Sequence, residues 1–309
     1  MRPPFEGVQQ IENRLGSTAA VGQDVQCRPD SLQATDVCDL SAVSTASQPR
    51  VSAIIGTWNR AQYLGDAIRS ILEQTLEELE LIVADDGSTD ETEAVVRQFD
   101  DPRLRYLPGP HVGISRNLNR ALAETRSQYV ALLDSDDWSY PARFEKQLAV
   151  LEARPEVVAV GHRLLEVDED EKPLNPRTSF APGDINKALM RFNPISNSAV
   201  MFRRDAVLAA GGYDEAYTCT VDWDLWLRLA DHGVVHMLDE VLGVRRVHRT
   251  NISVARELEQ VRAGVRTRVA TLRRRRTLRG VTGLAPALLS LVTPMPLKRY
   301  RRRLLGQAE

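Results

Sequence analysis

The chain has little cysteine. Only Cys27, Cys38 and Cys219 occur in 309 residues. They are too few and too widely spaced for a disulfide framework or a zinc site, a usage that fits a reducing compartment, so a cytoplasmic protein is expected. It also lacks a long apolar run. The first 20 residues carry no continuous hydrophobic segment of the secretory kind, and the apolar stretch Gly283 to Leu297 is short and broken by Pro286, Pro294 and Pro296. No membrane-spanning helix is expected. No internal repeat is present, and no Gly-rich, Lys-bearing loop follows the first apolar segment, which weighs against a triphosphate-gripping nucleotidyltransferase. Net charge is nearly absent at −2, but it is unevenly spread. Residues 257–309 hold 13 Lys/Arg against 3 Asp/Glu, so an acidic body precedes a strongly basic tail.

What is present is strand and helix in alternation. Met1 to about Arg50 is polar and aperiodic and reads as an unstructured leader. Val51 to Gly56 then reads as a strand, followed by a turn at Thr57–Arg60 and a helix with apolar residues at Leu64, Ala67, Ile68, Ile71 and Leu72. Leu79 to Ala84 is a second strand, Asp90 to Phe99 a second helix capped by Ser88 or Thr89, and Leu104 to Leu107 a short third strand. Ser115 to Thr125 is a helix that leads into the strand ending at Asp134. This order implies right-handed crossovers and a mostly parallel sheet. Further on, Pro141 to Ala153 reads as helix, Val157 to Val167 and Ser198 to Arg203 as strands, Asp205 to Ala209 and Asp222 to His232 as helices, and Val234 to Val247 as strand. Gly211-Gly212 reads as a turn that needs positive φ.

Two strands end in acid: Leu81-Ile82-Val83-Ala84-Asp85-Asp86-Gly87-Ser88 and Tyr129 to Leu133 followed by Asp134-Ser135-Asp136-Asp137. Apolar runs without alternation are strands buried on both faces, so the acidic ends lie where open α/β sheets bind ligands. Asp134 and Asp136 can share a hard divalent cation that keeps positions open for phosphate oxygens, although Asp-Ser-Asp-Asp is also good turn chemistry. Asp86 can accept from a nucleoside, or serve a βα turn. Trp58 could stack on a base or simply pack. Asp222 could be a general base at the mouth of a helix, or its N-cap, with Asp224 a rival. His248, just past the last strand, is open between a ligand and a structural role.

Residues Val51 to about Ser253 resemble an inverting glycosyltransferase of family 2, which has the GT-A fold. The segments that carry the resemblance are Thr57-Trp58-Asn59-Arg60, Gln74-Thr75, Asp85 to Asp90, Gly113-Ile114-Ser115-Arg116-Asn117, Leu133 to Asp137, Gly211-Gly212-Tyr213-Asp214 and Asp222 to Arg228. The resemblance implies a Rossmann-like α/β domain over residues 50–255, with a mostly parallel central sheet and helices on both faces. Residues 50–137 would be the nucleotide-binding half and 138–255 the acceptor half, between a leader at 1–49 and a basic helical tail at 256–309. It also implies that Thr57, Trp58, Asn59 and Asp86, with Arg116 as a further candidate, line the nucleoside pocket. Asp134 and Asp136 would hold ribose and a Mn or Mg ion, His248 with Ser253 would complete the metal or diphosphate site, and Asp222 would be the base.

The implied reaction moves a sugar from a nucleoside diphosphate sugar, with UDP expected, to a hydroxyl of a glycan, lipid-linked or small-molecule acceptor, as in cell-envelope or polysaccharide biosynthesis. Two departures stand out: Val221 replaces the Glu that often precedes the base, and Trp58 stands where Tyr or Phe is usual. A catalytically silent nucleotide-sugar-binding scaffold is the alternative from another class. For the basic tail, Arg273 to Arg276 and Lys298 to Arg303 fit peripheral contact with an anionic membrane or a solvated helical extension, and nucleic acid is the least favoured partner.

Overall fold

The computed structural model describes residues 48–174, 181–248, 250–251 and 257–276. The leader, Arg177, Ser253 and the tail beyond Arg276 lie outside them. Among the described residues a nine-stranded sheet runs in the order β3-β2-β1-β4-β8-β6-β9-β5, with β7 paired to β9. The strands are β1 (Val51–Thr57), β2 (Leu79–Asp85), β3 (Leu104–Pro108), β4 (Tyr129–Asp134), β5 (Trp138–Ser139), β6 (Val157–Val167), β7 (Gly183–Asp184), β8 (Met201–Arg203) and β9 (Val234–Arg246). β3, β2, β1 and β4 are mutually parallel, so all four end at the same edge of the sheet. β8 is antiparallel to both β4 and β6, and β9 runs parallel to β6.

Alternate residues of the parallel strands feed opposite layers. Ile54, Ile82, Val130 and Leu132 pack under α3 (Ile114–Ala123) and α7 (Val221–Leu229), while Ile55, Leu81, Val83 and Leu133 pack under α1 (Ala61–Leu72) and α4 (Arg143–Ala153). This double coverage explains the unbroken apolar runs in β1, β2 and β4. Leu64, Ile68 and Ile71 of α1 are fully buried, each contributing roughly 1.5–3 kcal/mol. The remaining helices are α2 (Thr92–Val96), α5 (Asn186–Leu189), α6 (Arg204–Ala209) and α8 (Glu257–Arg275).

Three expected elements differ. α2 is shorter than Asp90–Phe99: its N-cap is Glu91, without a side-chain cap, and Asp90 just before it accepts from the Thr92 N–H and hydroxyl, so neither Ser88 nor Thr89 caps it. The expected strand at Ser198 to Arg203 begins as a 3-10 turn over Asn197–Ala199 and pairs only from Met201. Thr220, not Asp222, is the N-cap of α7, which places Asp222 inside the first turn.

A buried cation braces the edge of β4. Arg143 is fully buried, and its guanidinium donates to the Leu132 and Val200 carbonyls, to Ser139 Oγ and to Gln147 Oε1 at 2.7–3.0 Å. Burial lowers its pKa to about 9, opposed by the charges of Asp137 and Asp134, so it is still a cation at neutral pH. Arg143→Met is expected to orphan those acceptors and lower unfolding stability by about 3 kcal/mol in urea titration. Arg69→Met, which breaks only the exposed pair with Asp66, should change it by less than about 1 kcal/mol.

Candidate active site

The parallel strand ends carry the site. At the end of β2 the two acidic residues diverge in role. Asp85 accepts from the Ser88 N–H and hydroxyl and from the Tyr106 hydroxyl at 2.6–2.9 Å, so its capacity is spent inside the turn. Asp86 instead accepts from the Val112 and Gly113 N–H groups and lies 2.9 Å from His111 Nδ1. Gly87 permits this turn: it has φ of 75°, and a Cβ there would lie 2.6 Å from the His111 nitrogen.

Across the crevice, Thr57 is 4% exposed and its Oγ1 has no hydrogen-bond partner. A buried hydroxyl left unpaired is costly, which makes it a receptor for an incoming polar group. Trp58 is 48% exposed and stacks on His111 with ring centroids 4.4 Å apart. Asn59, in the left-handed region, donates its N–H to Ser88 Oγ and accepts from the Thr89 N–H, each at 2.8 Å. Its side chain thus ties the β1 turn to the β2 turn. Arg116 stands apart from this group: it is exposed on α3 and pairs with Glu215 at 2.8 Å.

At the end of β4 three carboxylates crowd together. Asp137 is buried and receives the Ser198 hydroxyl and the Arg246 N–H; burial and the charges of Asp136 and Asp134 hold it well above the usual carboxylate range. Burial, then the charge of Asp136, pushes Asp134 up to about 6. Asp136 Oδ2 lies 2.8 Å from His248 Nε2 and accepts from Asn251 Nδ2 at 3.1 Å. The other nitrogen of His248 meets Thr250 Oγ1 at 2.8 Å, and the ring stacks on Tyr63. Beside it, the Arg246 guanidinium lies between the rings of Tyr63 and Trp138, 4.7 and 4.9 Å from their centroids.

These donors suit a hard divalent cation. Two carboxylates and an imidazole are ligand types that Mn or Mg accepts, and the pKa of Asp134, raised by burial and then by the charge of Asp136, would be lowered by a nearby cation. Among the described residues no three His, Cys, Asp or Glu side chains are already gathered around one point, so a bound phosphate would have to complete the shell.

Asp222 enters from the other side of the sheet edge. Its charge acts on both Asp134 and Tyr213. Asn193 donates to Asp222 Oδ2 and the Trp223 N–H to Oδ1, both at 2.7 Å. Burial raises its pKa, against the lowering effect of those two hydrogen bonds. Asp224 is buried and bound to Arg228 at 2.7 Å, an internal ion pair.

Several of these residues gave no sequence signal. Asn193, Asn251 and Ser198 act through partners 29 to 115 residues away. Arg143 did leave a trace, since an arginine in the first position of a helix opposes the macrodipole and calls for compensation elsewhere. Asn197 and Tyr217 are buried: Asn197 Oδ1 accepts from the Tyr213 hydroxyl at 3.4 Å, and Tyr217 sits beneath Arg266.

Comparison with known proteins places this geometry. The chain is 31% identical over 201 residues to the amylovoran biosynthesis glycosyltransferase AmsE of Erwinia amylovora, covering 63% of this chain and 75% of that one. It is 32% identical over 199 residues to the putative glycosyltransferase EpsE of Bacillus subtilis, covering 60% and 69%. Among solved structures, S. aureus TarS 1-349 in complex with UDP-GlcNAc superposes with a TM-score of 0.59 at 16% identity, over 71% of this chain and 66% of that one. The mannosyltransferase PcManGT of Pyrobaculum calidifontis, in complex with GDP-Man and Mn2+, superposes at 0.56 with 20% identity, over 82% and 83%. At these identities the structural likeness speaks for the fold alone. The profile of Glycosyl transferase family 2 matches residues 52–208, half of the chain, and with it this protein belongs to glycosyltransferase family 2.

Proposed function

We propose that the crevice takes a nucleoside diphosphate sugar, with UDP the expected nucleotide, and that the enzyme passes the sugar with inversion to a hydroxyl acceptor. The observation that carries this reading is the meeting of Asp136 and His248, 112 residues apart, beside Asp134 and within the electrostatic reach of Asp222. The UDP-GlcNAc and GDP-Man bound by proteins of the same fold support a nucleotide-sugar donor, and the Mn2+ of the second supports a divalent metal. The relative named for amylovoran biosynthesis supports a growing glycan or its lipid-linked precursor as acceptor, with the basic tail in peripheral contact with the membrane.

Each residue then has a task. Thr57 Oγ1 gains the partner it lacks from the nucleoside, Asp86 accepts from the base, and Trp58 offers its ring to it. Asn59 keeps the two turns at the spacing that admits the base. Asp134 and Asp136, with His248, hold Mn or Mg, which when bound offsets charge developing on the departing diphosphate. Asp222 takes the proton of the acceptor hydroxyl as that oxygen bonds to the anomeric carbon. The bond from the anomeric carbon to the diphosphate breaks on the opposite face, so one displacement inverts the centre. Asn193 and the Trp223 N–H fix the direction in which the Asp222 carboxylate points. The pairing of Asp224 with Arg228 favours Asp222 over Asp224 for this role.

Asp222→Asn is expected to lower kcat about 10³-fold while calorimetry shows UDP and Mn binding unchanged. Wild-type turnover by that variant would refute the base assignment. Asp136→Ala should weaken Mn-dependent donor binding by about 10- to 100-fold, and donor affinity that stays independent of Mn would count against the metal site.

The pH profile offers a further check. Asp222 works only when ionised, so kcat measured at saturating donor and Mn should rise with pH through its pKa, which burial places above the ordinary value. Asn193→Ala removes a hydrogen bond that favours the ionised form and should move this acid limb to higher pH. An unmoved limb would separate Asn193 from the base.

A further inference from the structure

The helix α8 is amphipathic in the wrong sense for a docked helix. Its inner face carries Gly264, Thr267, Arg268 and Thr271, all buried. Gly264 lets α8 lie against the Trp223 ring, where a Cβ would come within 2.9 Å. Arg268 lies over the same ring at 4.4 Å and donates to the Arg191 carbonyl. At the far end Arg274 and Arg275 grip Asp231 and donate to the Leu227 carbonyl, at the C-terminus of α7. With Arg266, which lies over the Tyr217 ring, four of the arginines of the basic tail are engaged with the body.

The aliphatic residues point the other way. At 100° per residue Leu258, Val261, Val265, Val269 and Leu272 share one arc with Arg262, Arg273 and Arg276; Leu258 and these three arginines are exposed and the other four aliphatic residues half-buried, while Arg266 at the edge of the arc lies over Tyr217 of the body. Leu258 is 44% exposed, and a shallow groove of about 430 Å3 runs along Arg262, Val265, Arg266, Val269, Ala270 and Arg273. With threonine and arginine on its inner face, α8 leaves half-buried valines and the exposed Leu258 between arginines on its outer arc, a surface suited to a partner that is both apolar and anionic. A second copy of this face would bring arginine against arginine, whereas an anionic lipid surface supplies both an apolar layer and opposite charge. The chain beyond Arg276 adds Arg279, Lys298, Arg299 and Arg301 to Arg303, of the same sign.

We infer that the outer arc of α8 is a membrane-docking surface for anionic lipid, its guanidinium groups on the headgroups and its valines and leucines dipping into the interface. This deepens the peripheral contact proposed above by fixing the face that makes it, and it rests on that reading only for the choice of acceptor. The test is co-sedimentation of the full chain with vesicles of phosphatidylcholine containing about 30 mol% phosphatidylglycerol, beside pure phosphatidylcholine, at about 0.1 M salt.

Wild type should pellet with the anionic vesicles only. R262E/R273E/R276E should lower partitioning about 100-fold and V265S/V269S about tenfold, whereas the same charge reversal on the body, R69E/R97E/R126E, should leave it unchanged. Absence of wild-type binding, equal binding to pure phosphatidylcholine, or wild-type binding by both arc variants would overturn the proposal. So would dimers of wild type in sedimentation that V265S/V269S dissolves without any effect on vesicles. Donor hydrolysis without vesicles should be the same in all of these proteins; its absence in wild type would sink the transferase reading and leave the lipid result standing.

Discussion

The burial of several carboxylates at one strand end is the constraint on which this structure depends. Asp134, Asp136 and Asp137 stand within one turn of chain, and Asp222 approaches from a separate helix. Unopposed, such a group would protonate or spread. The fold opposes it with the buried Arg143 behind β4, with the Ser198 hydroxyl and Arg246 N–H on Asp137, and with His248 and Asn251 on Asp136. Burial and the neighbouring charges still leave both Asp134 and Asp137 with raised pKa values, so added positive charge at this strand end would be favourable. In the proposed function a cation would supply it.

The neighbouring carboxylates have separate sets of partners. Asp85 is taken up by Ser88 and Tyr106, Asp137 by Ser198 and Arg246, and on α7 Asp224 by Arg228, whereas Asp86 is held by the Val112 and Gly113 N–H groups, Asp136 by His248 and Asn251, and Asp222 by Asn193 and the Trp223 N–H. The absorbed members make the turns rigid, so that the others are held in place by backbone and neighbouring side chains before any ligand arrives. Preorganisation of this kind is where electrostatic catalysis gains most, because no reorganisation is needed at the moment of reaction.

Much of this was legible along the chain because it is local. The unbroken runs in β1, β2 and β4 announce strands covered on both faces, and their acidic ends follow by continuity; β6 begins and ends where its pattern does, at Val157 and Val167. The failures are also physical. Ser88, expected as a cap, bonds to Asp85 instead, while Asp90 accepts from two donors on Thr92 and the helix starts after Glu91. The hydrogen bonds of Asn193, Asn251 and Ser198 depend on how the chain after β4 returns to the sheet through β8, β6 and β9, and no periodicity encodes a partner 29 to 115 residues away. The basic tail misled differently, since a count of charges cannot tell Arg274 and Arg275, spent on Asp231, from Arg262 and Arg273, which face outward.

That last distinction joins the tail to the chemistry. α8 runs alongside α7 in the same direction, its Gly264 against Trp223 and its Arg274 and Arg275 at the carbonyl end, where cations complement the helix dipole. Trp223 is the residue after Asp222 and donates its indole N–H to the Leu189 carbonyl, while Arg268 holds the carbonyl of Arg191, two residues before the Asn193 that orients Asp222. Both supports of the base therefore lean on the inner face of α8. A helix whose outer arc rests on lipid while its inner face steadies the base would set the acceptor side of the crevice at a fixed height above the membrane, where a lipid-linked hydroxyl would be presented. On that proposal the polar inner face and the outer arc would be two halves of one requirement: the first fixes the helix to the enzyme, and the second would bring the enzyme to the surface that carries its acceptor.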